Sequence, residues 1–173
     1  MKKFLKYFLI VIVLIVVVFL SLGFLFPSHE YTIPVTVNAP VEKTFAVFND
    51  TTKLKEWLTG LKSMENISGK LYEAGSKWKI VFDDHGTEIS MNETITAFKE
   101  NELVSFDIEN DFIKSTNEVR FVPKGNMTEV IAHVHYSGTG IFQKSILALF
   151  SGMVKKQQEE SYNLLKQVVE KSN

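Results

Sequence analysis

Two carboxylates and one amide interrupt apolar faces of predicted elements, and these residues are the best placed for chemistry. In a predicted strand, Glu93 occupies one of the alternate positions, or parity, that are otherwise apolar. Gln157 and Glu160 fall within the apolar stripe of a predicted C-terminal helix. A carboxylate on such a face is either hydrogen-bonded or partly protonated with a raised pKa. That state suits a polar ligand head group or general acid/base catalysis. The alternatives are a β-bulge that turns Glu93 outward and a helix whose far end projects beyond the sheet. Glu93 and Glu160 are therefore candidates only, and the sequence by itself assigns no catalytic residue.

A pair of histidines has the spacing of metal ligands. His133 and His135 lie two apart on a predicted strand and share one face, so they can chelate a metal, but a catalytic zinc site needs a third protein ligand. The segment 83–85 (Asp-Asp-His) offers ligands, yet nothing in the sequence brings it near. The opposite parity, with Val130 and Val134, is more apolar and should face inward. The sequence thus predicts surface histidines, no metal site and no cofactor.

Composition excludes several other classes of site. The chain has no cysteine and lacks a Gly-x-Ser-x-Gly elbow, a phosphate-binding glycine loop and a His-Glu-x-x-His motif. It has 19 basic and 20 acidic residues; three of the basic ones precede Tyr7, so the remainder is acidic by four charges. Arg120 is the only arginine. Such a domain lacks the basic surface of a nucleic-acid-binding protein.

The N-terminus has the pattern of a membrane anchor. Three lysines precede an uncharged apolar run, Tyr7 to Phe26, which Pro27 ends. About 20 helical residues cross the hydrocarbon core of a bilayer, so we expect a transmembrane helix over about residues 4–26. A cleavable signal peptide is the alternative, but its apolar core is normally shorter and ends in small residues. The sequence therefore predicts a membrane anchor at 1–27 and one domain at 28–173. The lysines place the N-terminus in the cytoplasm and the domain outside it.

The elements after the anchor follow a simple order. A strand at 31–38 precedes a helix that begins near Pro40 and a short second helix that ends near Leu58. Period-two segments joined by short turns then predict an antiparallel meander, with strands at 62–67, 76–83, 87–99, 103–109, 115–123 and 128–136. A long helix from about Phe142 to Glu170 ends the chain. Its apolar stripe consists of Phe142, Ile146, Leu149, Phe150, Met153, Leu164 and Val168.

This order resembles the helix-grip superfamily of START domains, birch-pollen-allergen-like proteins and polyketide cyclase/dehydrase-like proteins. The resemblance lies in residues 35–48 (VTVNAPVEKTFAVF), residues 53–58 (KLKEWL), Gly75 and residues 93–103. It implies an α+β fold in which a curved antiparallel sheet of six or seven strands surrounds the long C-terminal helix. These motifs specify the fold much better than any activity.

The resemblance also implies an elongated cavity between that helix and the sheet. Such cavities have mostly apolar walls with a few polar groups that orient the ligand. The residues expected to line it are Trp78, Ile80, Phe82, Ile89, Met91, Glu93, Ile95, Tyr136, Phe142, Ile146, Phe150, Met153 and Gln157. The apolar members of this set would serve equally well in a solid core.

Three functions remain open at the level of the sequence. The first is a membrane-anchored module that binds a small hydrophobic molecule or a lipid from the adjacent bilayer. The second is an enzyme similar to polyketide cyclases and dehydratases that uses a cavity carboxylate, although the residues favour binding over catalysis. The third is a membrane-proximal module for protein interaction, for which the sequence identifies no partner. Fold alone does not decide among them.

Overall fold

A computed structural model describes residues 2–84 and 86–172. Its first element, α1 (Lys2–Leu25), is the one helix in these two ranges that is long and apolar enough to cross a membrane. A membrane span and a signal sequence both have this character. The elements that follow are β1 (Ser28–Val37), α2 (Val41–Asn49), α3 (Leu54–Trp57), β2 (Leu61–Ser68), β3 (Lys77–Asp84), β4 (Thr87–Lys99), β5 (Leu103–Glu109), β6 (Ile113–Lys124), β7 (Met127–Gly138) and α4 (Ile141–Lys171).

Seven antiparallel strands form a single curved sheet in the order β1-β7-β6-β5-β4-β3-β2. Strands β2 to β7 are a meander of hairpins, as predicted. In the two-residue turn between β6 and β7, Gly125 has φ of +66°, a conformation that glycine adopts at little cost. The last strand, β7, also pairs with β1, from Ser28↔Ser137 to Val37↔Thr128. The predicted helix-grip fold is confirmed.

The helices cover the concave face of this sheet. Phe45 of α2 packs edge-on against Phe121 of β6, with ring centroids 5.0 Å apart, and Phe48 stacks on Trp57 of α3 at 5.3 Å. The second half of α4 contributes Tyr162, Leu165 and other residues to the same core. These contacts close one end of the sheet, because α3 and the end of α4 meet there.

The first half of α4 has a different set of neighbours. It packs against the C-terminal end of α1, where the rings of Phe19 and Phe142 meet at 5.5 Å. Gly23 lies so close that a Cβ there would come within 2.6 Å of the Ile141 carbonyl oxygen and the Ser145 hydroxyl. Small residues permit such close helix crossings. Helix α1 is therefore fitted to α4, not merely joined to the domain by a linker.

Candidate functional site

Strand register aligns polar side chains in one row across the concave face. His29 pairs with Tyr136, Tyr136 with Ser115, Ser115 with Ile108, and Ile108 with Glu93. We call His29, Tyr136, Ser115 and Glu93 the polar row. In the adjacent row lie Tyr31 and Asn117. The fold thus gathers residues from four strands that are far apart in the sequence.

Glu93 is the buried acid of this row. Its exposed fraction is 7%. Burial raises the pKa of Glu93 to about 7. A β-bulge does occur in β4, but between Ile95 and Ala97, after Glu93. Glu93 therefore stays on the inner face, and Phe98 takes the inward position that a regular strand would give to Ala97.

Three aromatic side chains form the other end of the site. The ring of Tyr136 lies 5.2 Å from that of His29 and 5.9 Å from that of Tyr31. Within the described part of the chain, three buried atoms here have no hydrogen-bond partner: His29 Nε2, Tyr31 Oη and Tyr136 Oη. Burial, and then the neighbouring Tyr136 and Glu159, raise the pKa of Tyr31, while burial lowers the pKa of His29. All three groups are consequently neutral donors or acceptors near pH 7.

Asn117 stands between these two ends. It is 5% exposed, and its Nδ2 donates to Ser115 Oγ at 3.1 Å and to the Phe106 carbonyl oxygen at 3.5 Å. These two bonds fix the position of the amide nitrogen. Its carbonyl oxygen remains an acceptor available to a ligand.

Apolar side chains beside the polar row are only partly covered. Among the strands α4 packs chiefly on β1 and β7, so it leaves the concave face along β3 to β6 less covered. We define the groove by its half-buried residues, Phe82, Met91, Phe106 and Ile108. Deeper in the same face Trp78, Ile80 and Ile95 are buried in the core, as is Tyr136 in a second cluster, and Ile89 is half-buried near the rim.

Two solvent-open depressions lie at opposite ends of α4. The larger, about 430 Å³, is lined by Glu88, Ile89, Ser90, Asn110, Asp111, Phe112 and Gln143, at the tips of two hairpins and the start of α4. The other, about 360 Å³, lies between α3 and the end of α4. The larger depression includes Ile89, which lies two residues before Met91 on the same face of β4, and we refer to it as the groove mouth.

The expected contribution of α4 to the cavity requires correction. Phe142, Phe150 and Met153 are 56%, 49% and 68% exposed, and Gln157 is exposed as well. Of the five α4 residues expected to line the cavity, Ile146 alone is half-buried. The carboxylate of Glu160 lies in solvent, 3.9 Å from the Lys156 ammonium. The helix instead buries Ser145, Leu147, Ser161, Tyr162, Leu165 and Val169. Glu160 consequently lies outside the groove.

The histidine pair lies on the outer face of β7. Both His133 and His135 are exposed, and His133 Nδ1 lies 2.9 Å from Thr32 Oγ1 of the neighbouring strand. No group of three His, Asp or Glu residues that could hold a metal occurs within 2–84 and 86–172. The segment 83–85 includes a residue outside the described ranges.

Sequence reasoning missed His29, Tyr31, Ser115 and Asn117. Tyr31 shares the parity of Ile33 and Val35, and Asn117 shares that of Val119, so the rule that selected Glu93 would have selected both. His29 could not be selected by this rule, because the alternating pattern predicts a strand only from Tyr31 onward.

Known proteins with a similar sequence pattern or structure agree with the fold described above. A family model described as polyketide cyclase / dehydrase and lipid transport matches residues 28–170. Zhui aromatase/cyclase from Streptomyces sp. R1128 is 11% identical, with 83% of this chain and 94% of that chain covered and a TM-score of 0.69. Ara h 8.0201 is 16% identical (82% and 97% covered, TM-score 0.65). Norcoclaurine synthase from Thalictrum flavum, in complex with dopamine and hydroxybenzaldehyde, is 13% identical (84% and 88%, TM-score 0.61). No curated protein matches the sequence. At these identities the solved structures show the fold alone.

Proposed function

The chain belongs to the polyketide cyclase/dehydrase and lipid transport family, and on that premise we propose that it is a membrane-anchored protein that binds a small apolar molecule with one polar end. The apolar part of the ligand lies in the groove along Met91, Phe106 and Ile108. Its polar end meets the polar row. Proteins of this family generally bind small hydrophobic ligands, which agrees with a groove of this composition.

The observation that carries this proposal is the set of unpaired polar atoms on His29, Tyr31 and Tyr136 beside an apolar groove. A buried polar atom without a partner costs about 1–3 kcal/mol. A ligand hydroxyl, carbonyl or carboxyl that bonds to these atoms would recover that free energy. Burial of about 300 Å² of apolar ligand surface adds roughly 7 kcal/mol before the entropy of binding is subtracted.

The anchor gives the groove its supply of ligand. Lys3–Leu25 has the length and composition of a membrane span, and Gly23 and Phe19 fit it closely to the folded domain. This fit favours a retained span over a cleaved signal sequence, since cleavage would remove a packed neighbour of α4. The flanking lysines favour a cytoplasmic N-terminus and an extracytoplasmic domain.

Extraction of the full chain from membranes tests this proposal. The protein is purified in mild detergent, and the bound small molecules are identified by native mass spectrometry. We expect a retained apolar ligand whose occupancy falls several-fold in the double variant Tyr31→Phe/Tyr136→Phe. The matched control is Tyr7→Phe, which removes a hydroxyl from α1, outside the groove. An unloaded native protein that gives no thermal shift with any lipid or other apolar compound would contradict the proposal.

Acid/base catalysis is the second candidate, and the pKa of Glu93 near 7 favours it. A carboxyl with this pKa exchanges its proton readily at neutral pH. If the retained ligand is a substrate, the native protein will convert it to a product of different mass, whereas the Glu93→Gln variant will bind the ligand without converting it. The control is Glu65→Gln, an exposed glutamate of β2. Equal conversion by Glu93→Gln and the native protein would remove Glu93 from any chemical step.

A further inference from the structure

An apolar face on the first half of α4 has a protein neighbour only at Phe142, which touches Phe19 of α1, and is otherwise uncovered among the described residues. Helical geometry places Phe142, Ile146, Leu149, Phe150 and Met153 within about 100° of one another around the helix axis. Four of the five are about half to two-thirds exposed, and Ile146 is half-buried. The residues that contact the sheet, Leu147 and Val154, lie next to this face around the helix axis, on the side of Phe150. From Ile141 to Val154 the only charged residue is Lys144, which lies nearly opposite the apolar face. Charged residues begin immediately afterwards, with Lys155 and Lys156.

The contact between α1 and α4 fixes the depth of this face in a bilayer. The apolar run of α1 ends at Phe26, and Phe19 lies seven residues earlier, which is about 10 Å along the helix. Phe142 touches Phe19, and Ser145 touches Gly23, which is about 5 Å from the same end. If α1 crosses the membrane, the beginning of α4 therefore lies at the depth of the outer acyl chains. Amphipathic helices that lie on membranes bury their apolar face by about 5–10 Å.

We infer that the first half of α4, Ile141–Val154, is a second membrane element, which lies in the leaflet that contains the C-terminal end of α1 and presents Phe142, Leu149, Phe150 and Met153 to lipid. This inference rests on the proposed membrane anchor, but not on the proposed ligand. Gln143 of this helix also lines the mouth of the groove. The mouth consequently opens at the bilayer surface, where an apolar ligand can enter it without crossing water.

Single cysteines allow a direct test, because the native chain has none. The full chain is reconstituted in phosphatidylcholine vesicles with an environment-sensitive fluorophore at Leu149→Cys or Met153→Cys. We expect blue-shifted emission, strong quenching by a lipid-borne quencher and weak quenching by aqueous iodide. The matched control is Gln157→Cys, which continues the same stripe one turn beyond Met153 and should show the opposite pattern. Circular dichroism confirms that each variant is folded.

A label at Leu14→Cys separates failure of the inference from failure of the anchor. If Leu14 is lipid-quenched but Leu149 and Met153 respond like Gln157, the anchor stands and the inference is overturned. If Leu14 itself is exposed to iodide, the anchor and the inference fall together. If the α4 labels are protected from iodide yet are not quenched by lipid, a second copy or another protein covers the face, and the inference is again overturned.

Discussion

At the scale of single residues, Glu93 should set the pH dependence of stability. Its pKa is about 7 in the folded protein against 4.5 for the model carboxyl, so the native state holds a proton that the unfolded state has lost between these values. The free energy of unfolding should therefore fall as pH rises from about 4.5 to 7, by about 3 kcal/mol. Glu93→Gln should abolish this fall and stabilise the protein above pH 7. Urea unfolding at a series of pH values measures both effects.

The exposed Glu65 provides the control for that experiment. Glu65→Gln removes a solvent-exposed carboxylate of β2 and therefore controls for the loss of one glutamate side chain. A Glu93→Gln profile that follows the native one would show that the carboxyl of Glu93 is solvated, and that it plays no part in the groove.

Removal of two different tyrosine hydroxyls should change the stability of the protein in opposite directions. Tyr136→Phe removes a buried hydroxyl without a partner among the described residues, so the ligand-free protein should gain about 1 kcal/mol in its free energy of unfolding. Tyr72→Phe removes a hydroxyl that donates to the Asn49 carbonyl oxygen and should cost a similar amount. Thermal unfolding compares the two. A loss of stability in Tyr136→Phe would mean that its hydroxyl is already satisfied.

Individual site residues could be predicted only where a polar side chain interrupts an apolar parity. That rule identifies Glu93, and it applies equally to Asn117 and Tyr31. It cannot identify His29, whose role arises because β1 pairs with β7 more than 100 residues away. Nor does parity reveal that the bulge lies after Glu93 and not before it, since bulges depend on the pairing of both strands.

At the scale of elements, α4 shows why an apolar stripe does not identify its partner. The helix has two such stripes, and the sheet buries the one with Leu147, Tyr162 and Leu165. Ser161 is a small member of this stripe, whereas the bulkier stripe with Phe150 and Met153 points away from the sheet. Periodicity measures the apolar character of a face, but not whether a sheet, a partner or lipid covers it. The bounds of α4 were predicted to within one residue at each end, while its orientation was not.

The crossing of α1 and α4 depends on one glycine. Gly23→Leu should separate the two helices, because even a Cβ would approach the Ile141 carbonyl oxygen and the Ser145 hydroxyl to 2.6 Å. A disulfide between Phe19→Cys and Phe142→Cys reports their proximity, and its yield should drop several-fold in Gly23→Leu. Gly152→Ala is the control, since a Cβ there meets no atom within 4 Å. Equal disulfide yields in both variants would show that the helices are not held together at Gly23.

At the scale of the whole molecule, the domain should fold without α1, and if the inference about α4 is right it should bind membranes. Neither buried cluster of the core includes a residue of α1, so residues 28–173 retain the interactions that stabilise the fold. The apolar face of α4 remains exposed in this truncated chain. We therefore expect it to unfold cooperatively and to float with phosphatidylcholine vesicles in a density gradient. Leu149→Gln/Met153→Gln should abolish flotation but leave the unfolding transition in place.

A second pair of exposed apolar residues shows whether that binding is specific to α4. Ile67 of β2 and Leu71 of the following turn are 57% and 51% exposed, similar to Leu149. Ile67→Gln/Leu71→Gln should float as well as the unaltered domain, because these residues lie near the opposite edge of the sheet from β1, the strand that joins α1. If both pairs reduce flotation equally, binding reflects total surface hydrophobicity. If neither pair does, the α4 face does not bind lipid, and the groove mouth is not held at the membrane by this helix.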